Sequence, residues 1–275
     1  MHFTTKSTLF SHASIIAVSV VIALYSNAAF SISTTSGQNE TRLIDNQVMI
    51  MQAKRGDARA LYLLGRQYRD GKGVGRNVET AMSYFSQSAA QGFAPAQIDL
   101  GKMYVSGVGV KADFNKAFTL FKQAADQGFA TAQFNVANLL RSGKGTKQDA
   151  RQAHDYYEKA ANSGFAKAQY NLAVMYLTGL GVTKDLTKVR YWYEQAARQG
   201  FAMAQYQLAN MYYSGEGTDK NLQLALIWYK AASGSGVKEA YDAKQKLEKI
   251  LAEMGLDNSD EDTTSVFKTG VALDQ

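Results

Sequence analysis

The stretches 92–97, 128–133, 164–169 and 200–205 read GFAPAQ, GFATAQ, GFAKAQ and GFAMAQ. They recur every 36 residues, and a period of about 20–50 residues is typical of proteins built from stacked repeats. At this period the chain divides, without insertions, into five units: 57–92, 93–128, 129–164, 165–200 and 201–236. We therefore expect the repeated stretch to be a joint between stacked units.

Each unit is expected to hold two helices, A and B. Ala96, Leu100 and Tyr104 lie four residues apart, which places them on one face of helix A. Glycine ends a helix readily because it adopts the left-handed conformation. The two glycine columns are Gly71, Gly107, Gly143, Gly179 and Gly215, with Gly73, Gly109, Gly145, Gly181 and Gly217 two places on. Side chains able to cap helix B follow at Asn77, Asp113, Asp149, Asp185 and Asn221.

Helix B carries adjacent bulky residues, such as Trp192-Tyr193, and a small pair one turn later, such as Ala160-Ala161. Large residues opposite small ones allow close packing of helices. The short B-to-A connection makes consecutive helices antiparallel. Because a stack needs capped ends, we expect residues 42–56 and 237–255 to form an N-terminal and a C-terminal capping helix.

The stretch 166–181 reads A-x-A-Q-Y-x-L-A-x-M-Y-x-x-G-x-G, and W-Y-E-Q-A-A follows at 192–197. This combination resembles the Sel1-like repeat, and the resemblance covers about residues 42–254. It implies an all-α fold, a right-handed αα-superhelix (solenoid) related to tetratricopeptide arrays, in which helix A lines a concave surface that binds protein partners. Three features depart from the pattern: Leu140 replaces a tyrosine, Val189 replaces an alanine, and S-G-S-G at 233–236 predicts a frayed or bent end of the last helix B.

The N-terminal 28 residues are interpreted as a secretory signal peptide cleaved after Ala28, because Lys6 precedes an apolar run at 13–25. An uncleaved anchor is the alternative, although thirteen residues are short of the about 20 that span a bilayer. Residues 29–41 are expected to be a flexible linker. The sequence thus predicts a periplasmic or secreted protein with no stable membrane insertion after cleavage.

The composition argues against several classes of function. The chain of 275 residues has no cysteine and a formal net charge of +6, which becomes +5 when Lys6 is removed. This weak, dispersed charge does not favour nucleic acid binding. His154 is the one histidine beyond the signal peptide, and it is interpreted as a polar residue of the outer helix, helix B. With one histidine and no cysteine, the sequence predicts neither a zinc site nor another metal or cofactor. The G-x-G stretches lack the lysine and hydroxyl spacing of a phosphate loop, and S-G-V-K at 235–238 lacks the partners of a β-lactamase signature.

Two positions of helix A are mostly polar: residues 63 and 66 of the first repeat and their equivalents every 36 residues, which we call the 63 and 66 columns. They point away from the core positions 64 and 68 and their equivalents. Amides there offer donors and acceptors that could hold a peptide backbone; a merely soluble exposed face is the alternative. The predicted binding residues are Asn135, Asn138 and Asn171 at the centre of a groove, flanked by Arg66, Asp99, Lys102, Gln207 and Asn210.

Basic residues recur in the G-x-G loops, so stacking would align positive charge along one edge. The residues are Lys72, Arg76, Lys111, Lys144, Lys147, Lys184 and Lys220. This edge is either a solvated rim or a site for an acidic partner or anionic envelope polymer. Residues 256–275, with Asp257, Asp260, Glu261 and Asp262, are expected to form an acidic disordered tail that contacts the basic edge or a basic partner.

The sequence therefore predicts a non-enzymatic, monomeric periplasmic scaffold or adaptor that binds a protein or peptide on the concave helix A surface, with regulation of an envelope system as one such role. An immunity protein that neutralises a delivered toxin, such as a secreted lipase, is the alternative role. A cell-wall hydrolase or β-lactamase-like enzyme is a more remote one. Fold alone does not choose among these roles.

Overall fold

A computed structural model of the protein describes residues 46–255. The predicted signal peptide, the linker, the first residues of the N-terminal capping helix and the acidic tail all lie outside the described residues. The chain divides into two compact parts, one up to Gly56 and one from Asp57 onward. In the first part, residues 46–54 are helical (α1), within the predicted capping helix.

The part from Asp57 onward is a solenoid of helix pairs, A then B in each repeat unit, with a closing helix. The residues described hold twelve helices, α1 included, and no strand. From the second onward the helices are α2 Ala58–Asp70, α3 Val78–Ala90, α4 Ala94–Ser106, α5 Phe114–Asp126, α6 Ala130–Ser142, α7 Ala150–Asn162, α8 Ala166–Thr178, α9 Leu186–Arg198, α10 Ala202–Ser214, α11 Leu222–Gly234 and α12 Lys238–Glu253. The ten repeat helices are each 13 residues long, so the predicted frayed end of α11 is wrong.

The predicted caps of the B helices are confirmed. The side chain of Asp149 accepts a hydrogen bond from the backbone N–H of Gln152 at 2.9 Å, and the equivalent residues of the other four units cap their helices in the same way. Each A helix ends at a glycine with φ between 68° and 79°, a conformation that residues with a side chain rarely adopt. The caps and glycines therefore fix the length of every helix.

The GFAxAQ stretch forms the joint between units, as expected. The ring of Phe165 packs at 5.2 Å from Phe134 of the preceding A helix, and Phe201 packs at 5.3 Å from Tyr170 in the same manner. The glutamine has a function that the sequence analysis missed: the amide of the buried Gln169 donates to the carbonyl of Ala161 at 3.1 Å. It thereby adds a second donor to a carbonyl at the end of the previous helix B, which also accepts from the backbone N–H of Gly164 at 2.9 Å.

The core consists of aromatic residues from the B helices packed against small residues of the A helices, in a small cluster within the first two repeats and a larger one that extends to the closing helix. Phe121 is 2 % exposed, and a Cβ on the facing Gly101 would lie 2.6 Å from its ring. In the third to fifth units the aromatic residue is a tyrosine, at 157, 193 and 229, and each is buried. Within residues 46–255 no helix combines the length and the apolar character that a membrane span requires.

Candidate protein-binding surface

The candidate site is the A-helix surface, which we define by the 63 and 66 columns and the residues that touch them. Six of the predicted residues are half-buried, while Arg66 and Lys102 are exposed. The half-buried residues are Asp99, Asn135, Asn138, Asn171, Gln207 and Asn210. The structure thus places the predicted side chains between neighbouring helices rather than fully in solvent, and several of them are already hydrogen-bonded.

A cluster around Asp99 occupies the first two units. Its carboxylate accepts from the Tyr62 hydroxyl at 3.2 Å, from Arg69 at 3.0 Å and from Lys102 at 3.1 Å. The Asp99 side chain is 14 % exposed, and burial together with this carboxylate raises the pKa of Tyr62. Three donors, Lys102 among them, already contact Asp99, whereas the exposed Arg66 lies at ion-pair distance from no carboxylate of the described residues.

The third unit contains a hydroxyl–amide pair that connects helix B to the surface. The hydroxyl of Tyr157 donates to Oδ1 of Asn138 at 2.5 Å. Burial raises the pKa of Tyr157, while the Arg141 guanidinium and the Asn171 amide, which face the same hydroxyl, oppose that rise. Two of the three predicted central residues, Asn138 and Asn171, are therefore brought together around one buried phenol.

Arg141 belongs to the surface, although the sequence analysis did not include it. It is exposed on the last turn of α6. Arg69 lies two repeats earlier in the same column and contacts Asp99 across a unit boundary. Arginine at this position in two of the five repeats is the signal that would have identified it.

The fifth unit repeats the hydroxyl–amide pair. Tyr229 donates to Oδ1 of Asn210 at 2.6 Å, and Nδ2 of Asn210 donates to Oε1 of Gln207 at 3.4 Å. Burial raises the pKa of Tyr229 to about 12, and Tyr206 and Tyr213 add to the rise. As in the third unit, the carbonyl oxygens of the surface amides are occupied by neighbours.

Asn135, the third predicted central residue, differs from the other two. Its Nδ2 atom is buried and has no hydrogen-bond partner among the described residues. The helix B residue that would correspond to Tyr157 one unit earlier is Phe121, which has no hydroxyl. The missing hydroxyl is consistent with the unsatisfied amide, because a buried N–H that lacks a partner costs about 1–3 kcal/mol.

The chemistry of the A-helix surface is dominated by hydrogen-bond donors. The oxygens of Asn138, Asn210 and Gln207 each accept from a neighbouring side chain, and Asn210 uses one of its N–H groups for Gln207. Most of the hydrogen-bonding capacity that these three amides retain therefore lies in their N–H groups. Arg66, Lys102 and Arg141 add positive charge. Such a surface favours a partner that presents carbonyl or carboxylate oxygens, since a donor is satisfied only by an acceptor.

All seven predicted basic-edge residues are exposed, and within the residues described none lies at ion-pair distance from a carboxylate. Two of them contact aromatic rings: Nζ of Lys144 lies 5.4 Å from the centre of Phe114, and Nζ of Lys220 lies 5.9 Å from that of Tyr213. The cations are therefore distributed singly along the loops. Their role in binding stays a prediction.

His154 was interpreted as a polar residue of the outer helix, but its side chain is only 12 % exposed. Its Nε2 atom lies 3.0 Å from the hydroxyl of Tyr176, and the two rings meet edge-on at 5.3 Å. The contact joins helix B of the third unit to helix A of the fourth, so this histidine contributes to inter-unit packing. Among residues 46–255 no group of three or more metal-ligating side chains comes together.

The stacked helix pairs and joints define a helical repeat protein whose varying chemistry lies on its A helices. A Sel1 repeat model matches residues 58–93, 94–129, 130–165, 166–201 and 202–237. The chain therefore belongs to the Sel1 repeat family.

Two solved structures support this assignment. A protective antigen of uropathogenic Escherichia coli with an SLR fold is 30% identical, with a TM-score of 0.73 over 81% of this chain and 47% of the antigen; the chain thus spans about half the antigen's length. A Sel1 repeat protein from Oxalobacter formigenes is 29% identical, with a TM-score of 0.68 over 77% of this chain and 88% of its own.

An immunity protein from Pseudomonas aeruginosa is similar at a lower level: 20% identity and a TM-score of 0.46, over 69% of this chain and 72% of that one. This degree of similarity supports no inference about a shared role. No curated protein matches the chain significantly.

Proposed function

We propose that the protein is a non-enzymatic, monomeric scaffold that binds a partner protein, through an extended acceptor-rich segment, on its A-helix surface. Sel1 repeats typically mediate protein–protein interaction, and the surface chemistry supports the finer assignment. The observation that carries it is the pairing of Tyr157 with Asn138 and of Tyr229 with Asn210. Each pair occupies an amide oxygen and leaves amide donors to face the partner.

The charges on the A-helix surface are distributed unevenly along the solenoid, which predicts the orientation of the bound segment. Arg66, Lys102 and Arg141 lie in the first three units, whereas the same columns of the fourth and fifth units hold neutral residues. Close charge pairs favour one orientation of a partner over the reverse. The acidic portion of the bound segment would therefore lie on units one to three, and a neutral portion on units four and five.

A matched pair of charge reversals tests this proposal. Arg66→Glu/Lys102→Glu/Arg141→Glu changes three cations to anions on the A-helix surface, and Lys72→Glu/Lys111→Glu/Lys147→Glu makes the same change on the basic edge. Proteins captured from cell envelope extracts by the wild-type chain are expected to be lost with the first variant and retained with the second. Loss with the edge variant alone would instead assign binding to the loops.

The identity of a captured partner would also distinguish the roles. A sensor or other envelope protein supports an adaptor function, whereas a secreted lipase inhibited by the chain would support the immunity alternative. The proposal assigns no reaction to the protein, so turnover of a chromogenic β-lactam by the purified chain would contradict it.

The proposed compartment is the periplasm or the medium, and it rests on the charge and hydropathy of residues 1–28. After export and cleavage, the mature protein is expected to begin at Ala29. Mass spectrometry of the intact protein from a periplasmic fraction tests this directly. A cytoplasmic protein that retains residues 1–28 would exclude the assignment.

A further inference from the structure

The fourth unit breaks the hydroxyl–amide pattern of the third and fifth. Tyr193 corresponds to Tyr157 and Tyr229, but Val174 stands where those units have Asn138 and Asn210. Tyr193 is 2 % exposed, and its hydroxyl forms no hydrogen bond with any described residue. Burial raises the pKa of Tyr193 well above its ordinary value, which keeps the phenol protonated as a donor.

This tyrosine lines a cavity of about 90 Å³ between α8, α9 and α10. Apolar side chains form much of the wall: Leu177 from α8, Leu186 and Val189 from α9, and Met211 from α10. Val189 stands where the other repeats have alanine, so this part of the wall differs from the equivalent position in the other repeats.

Two of the polar residues that line the cavity, Tyr193 and Gln207, offer donors that no described residue occupies, whereas the Ser214 hydroxyl already donates to the carbonyl of Met211. Oε1 of Gln207 already accepts from Asn210 at 3.4 Å, so its amide nitrogen offers N–H groups alongside the Tyr193 hydroxyl. Glu216 also lines the cavity and would repel an anionic occupant. The donors thus favour a carbonyl oxygen, and the carboxylate disfavours an anion. A carboxamide meets both conditions, because it is neutral and its N–H groups are donors that a carboxylate can accept.

The cavity volume limits the size of its occupant. A water molecule takes up about 30 Å³ in the liquid, so 90 Å³ has room for about three or four non-hydrogen atoms. A primary carboxamide on one carbon, as in asparagine or acetamide, has this size, and the additional carbon of a glutamine side chain or of propionamide would lie at the opening of the cavity. The carboxamide oxygen would accept from the hydroxyl, while the carbon stem would contact the leucine and valine side chains.

We propose that this cavity is an anchor site for one asparagine or glutamine side chain of the segment bound on the A-helix surface. The inference rests on the proposed function and deepens it, because it names the side-chain chemistry recognised by the neutral half of the surface. The carboxamide oxygen accepts from the Tyr193 hydroxyl and from the Gln207 amide.

The test uses acetamide and propionamide as probes, titrated into the full chain and followed by amide NMR shifts. Both are expected to perturb residues around the cavity saturably, and propionate, which has a similar size but is anionic, is expected to bind at least several-fold more weakly. Tyr193→Phe should raise the Kd of propionamide about 3- to 10-fold, as expected for the loss of one hydrogen bond.

Tyr157→Phe serves as the matched control, because it removes a hydroxyl that is already bonded to Asn138, and it should leave the Kd unchanged. Val174→Asn should abolish probe binding by giving Tyr193 the amide partner that the neighbouring units have. If neither amide perturbs the cavity, or if Tyr193→Phe leaves the Kd unchanged, the site is ordinary hydrated space and the proposal is wrong.

Peptide display separates this inference from the proposed function. If the wild-type chain selects no extended peptides, the proposed function fails, whatever the amide titration shows. Selection of peptides with a fixed asparagine or glutamine, lost when Tyr193→Phe is the bait, supports both proposals. If the Tyr193→Phe chain selects peptides with the same fixed asparagine or glutamine as the wild-type chain, the anchor site is wrong and the proposed function is unaffected.

Discussion

The third and fourth repeats have the same backbone and different surface chemistry. Both contain two 13-residue helices with the same caps. On helix A, however, Asn138 and Arg141 in the third repeat are replaced by Val174 and Leu177 in the fourth. One buried tyrosine is therefore hydrogen-bonded, and the other opens to a cavity. The difference shows that the residues that build the stack and the residues that define its surface vary independently.

The largest expected loss of stability comes from substituting the loop glycines of the third and fourth repeats, and it tests whether the two backbones are held in the same way. Gly145 and Gly181 both have positive φ, and an added Cβ would lie 2.2 Å and 2.5 Å from the backbones of Phe114 and Ala150. Gly145→Ala and Gly181→Ala should each lower the free energy of unfolding by on the order of 3 kcal/mol in urea titrations, since backbone must move.

Gly164→Ala is the control for this pair. Gly164 also has positive φ, but no atom lies within 4 Å of the added Cβ. Its cost should be about 1–2 kcal/mol, from backbone conformation alone. An equal cost for all three variants would show that the close contacts between loop and helix do not stabilise the stack.

A smaller change in stability is expected to distinguish Tyr157 from Tyr193. Tyr157→Phe leaves Oδ1 of Asn138 without its partner and should cost about 1 kcal/mol in urea unfolding. Tyr193→Phe removes a hydroxyl that bonds to no described residue and should change stability by less than about 0.5 kcal/mol. Equal costs for the two substitutions would contradict the difference between the repeats.

Val174→Asn should convert the fourth repeat toward the third. The new amide would accept from the Tyr193 hydroxyl, as Asn138 does from Tyr157, and stability should rise by about 0.5 kcal/mol once the lost valine contacts are counted. Differential scanning calorimetry would detect the change as a higher Tm. A destabilisation of more than about 1 kcal/mol would show that the valine is required for packing.

The smallest effect is a pH dependence above the ordinary pKa of tyrosine, about 10. Burial raises the pKa of Tyr193 in the folded state, so the folded protein binds more protons than the unfolded chain and stability falls as pH rises above 10. Between pH 9 and 11, Tyr193→Phe should reduce this loss more than Tyr157→Phe does, because Arg141 and Asn171 oppose the rise in the pKa of Tyr157.

Much of the fold could be predicted because it depends on periodic, local signals. The glycine columns and the Asn or Asp caps determine where helices end, and the GFAxAQ stretches identify the joints. The 63 and 66 columns also followed from helical geometry, which placed Asn138 and Asn171 on one surface. A repeated sequence gives several independent observations of each position, so these assignments did not depend on any single residue.

The chemistry of the surface could not be predicted in the same way, because it depends on contacts between residues on different helices. The sequence does not show that Tyr157, interpreted as core, reaches Asn138 and occupies its oxygen. The cavity beside Tyr193 likewise depends on side chains from three helices. His154 was expected on the outer helix, but its contact with Tyr176 of the next unit buries most of its ring.

The most direct test of the account is site-specific photo-crosslinking of the bound partner. The chain has no cysteine, so one substitution provides a unique labelling site: Ser142→Cys, one turn from Asn138 on the A-helix surface, or Asp155→Cys, exposed on helix B. A benzophenone at residue 142 is expected to crosslink a captured partner in high yield, and one at residue 155 is expected not to. Crosslinking from residue 155 alone would contradict binding on the A-helix surface.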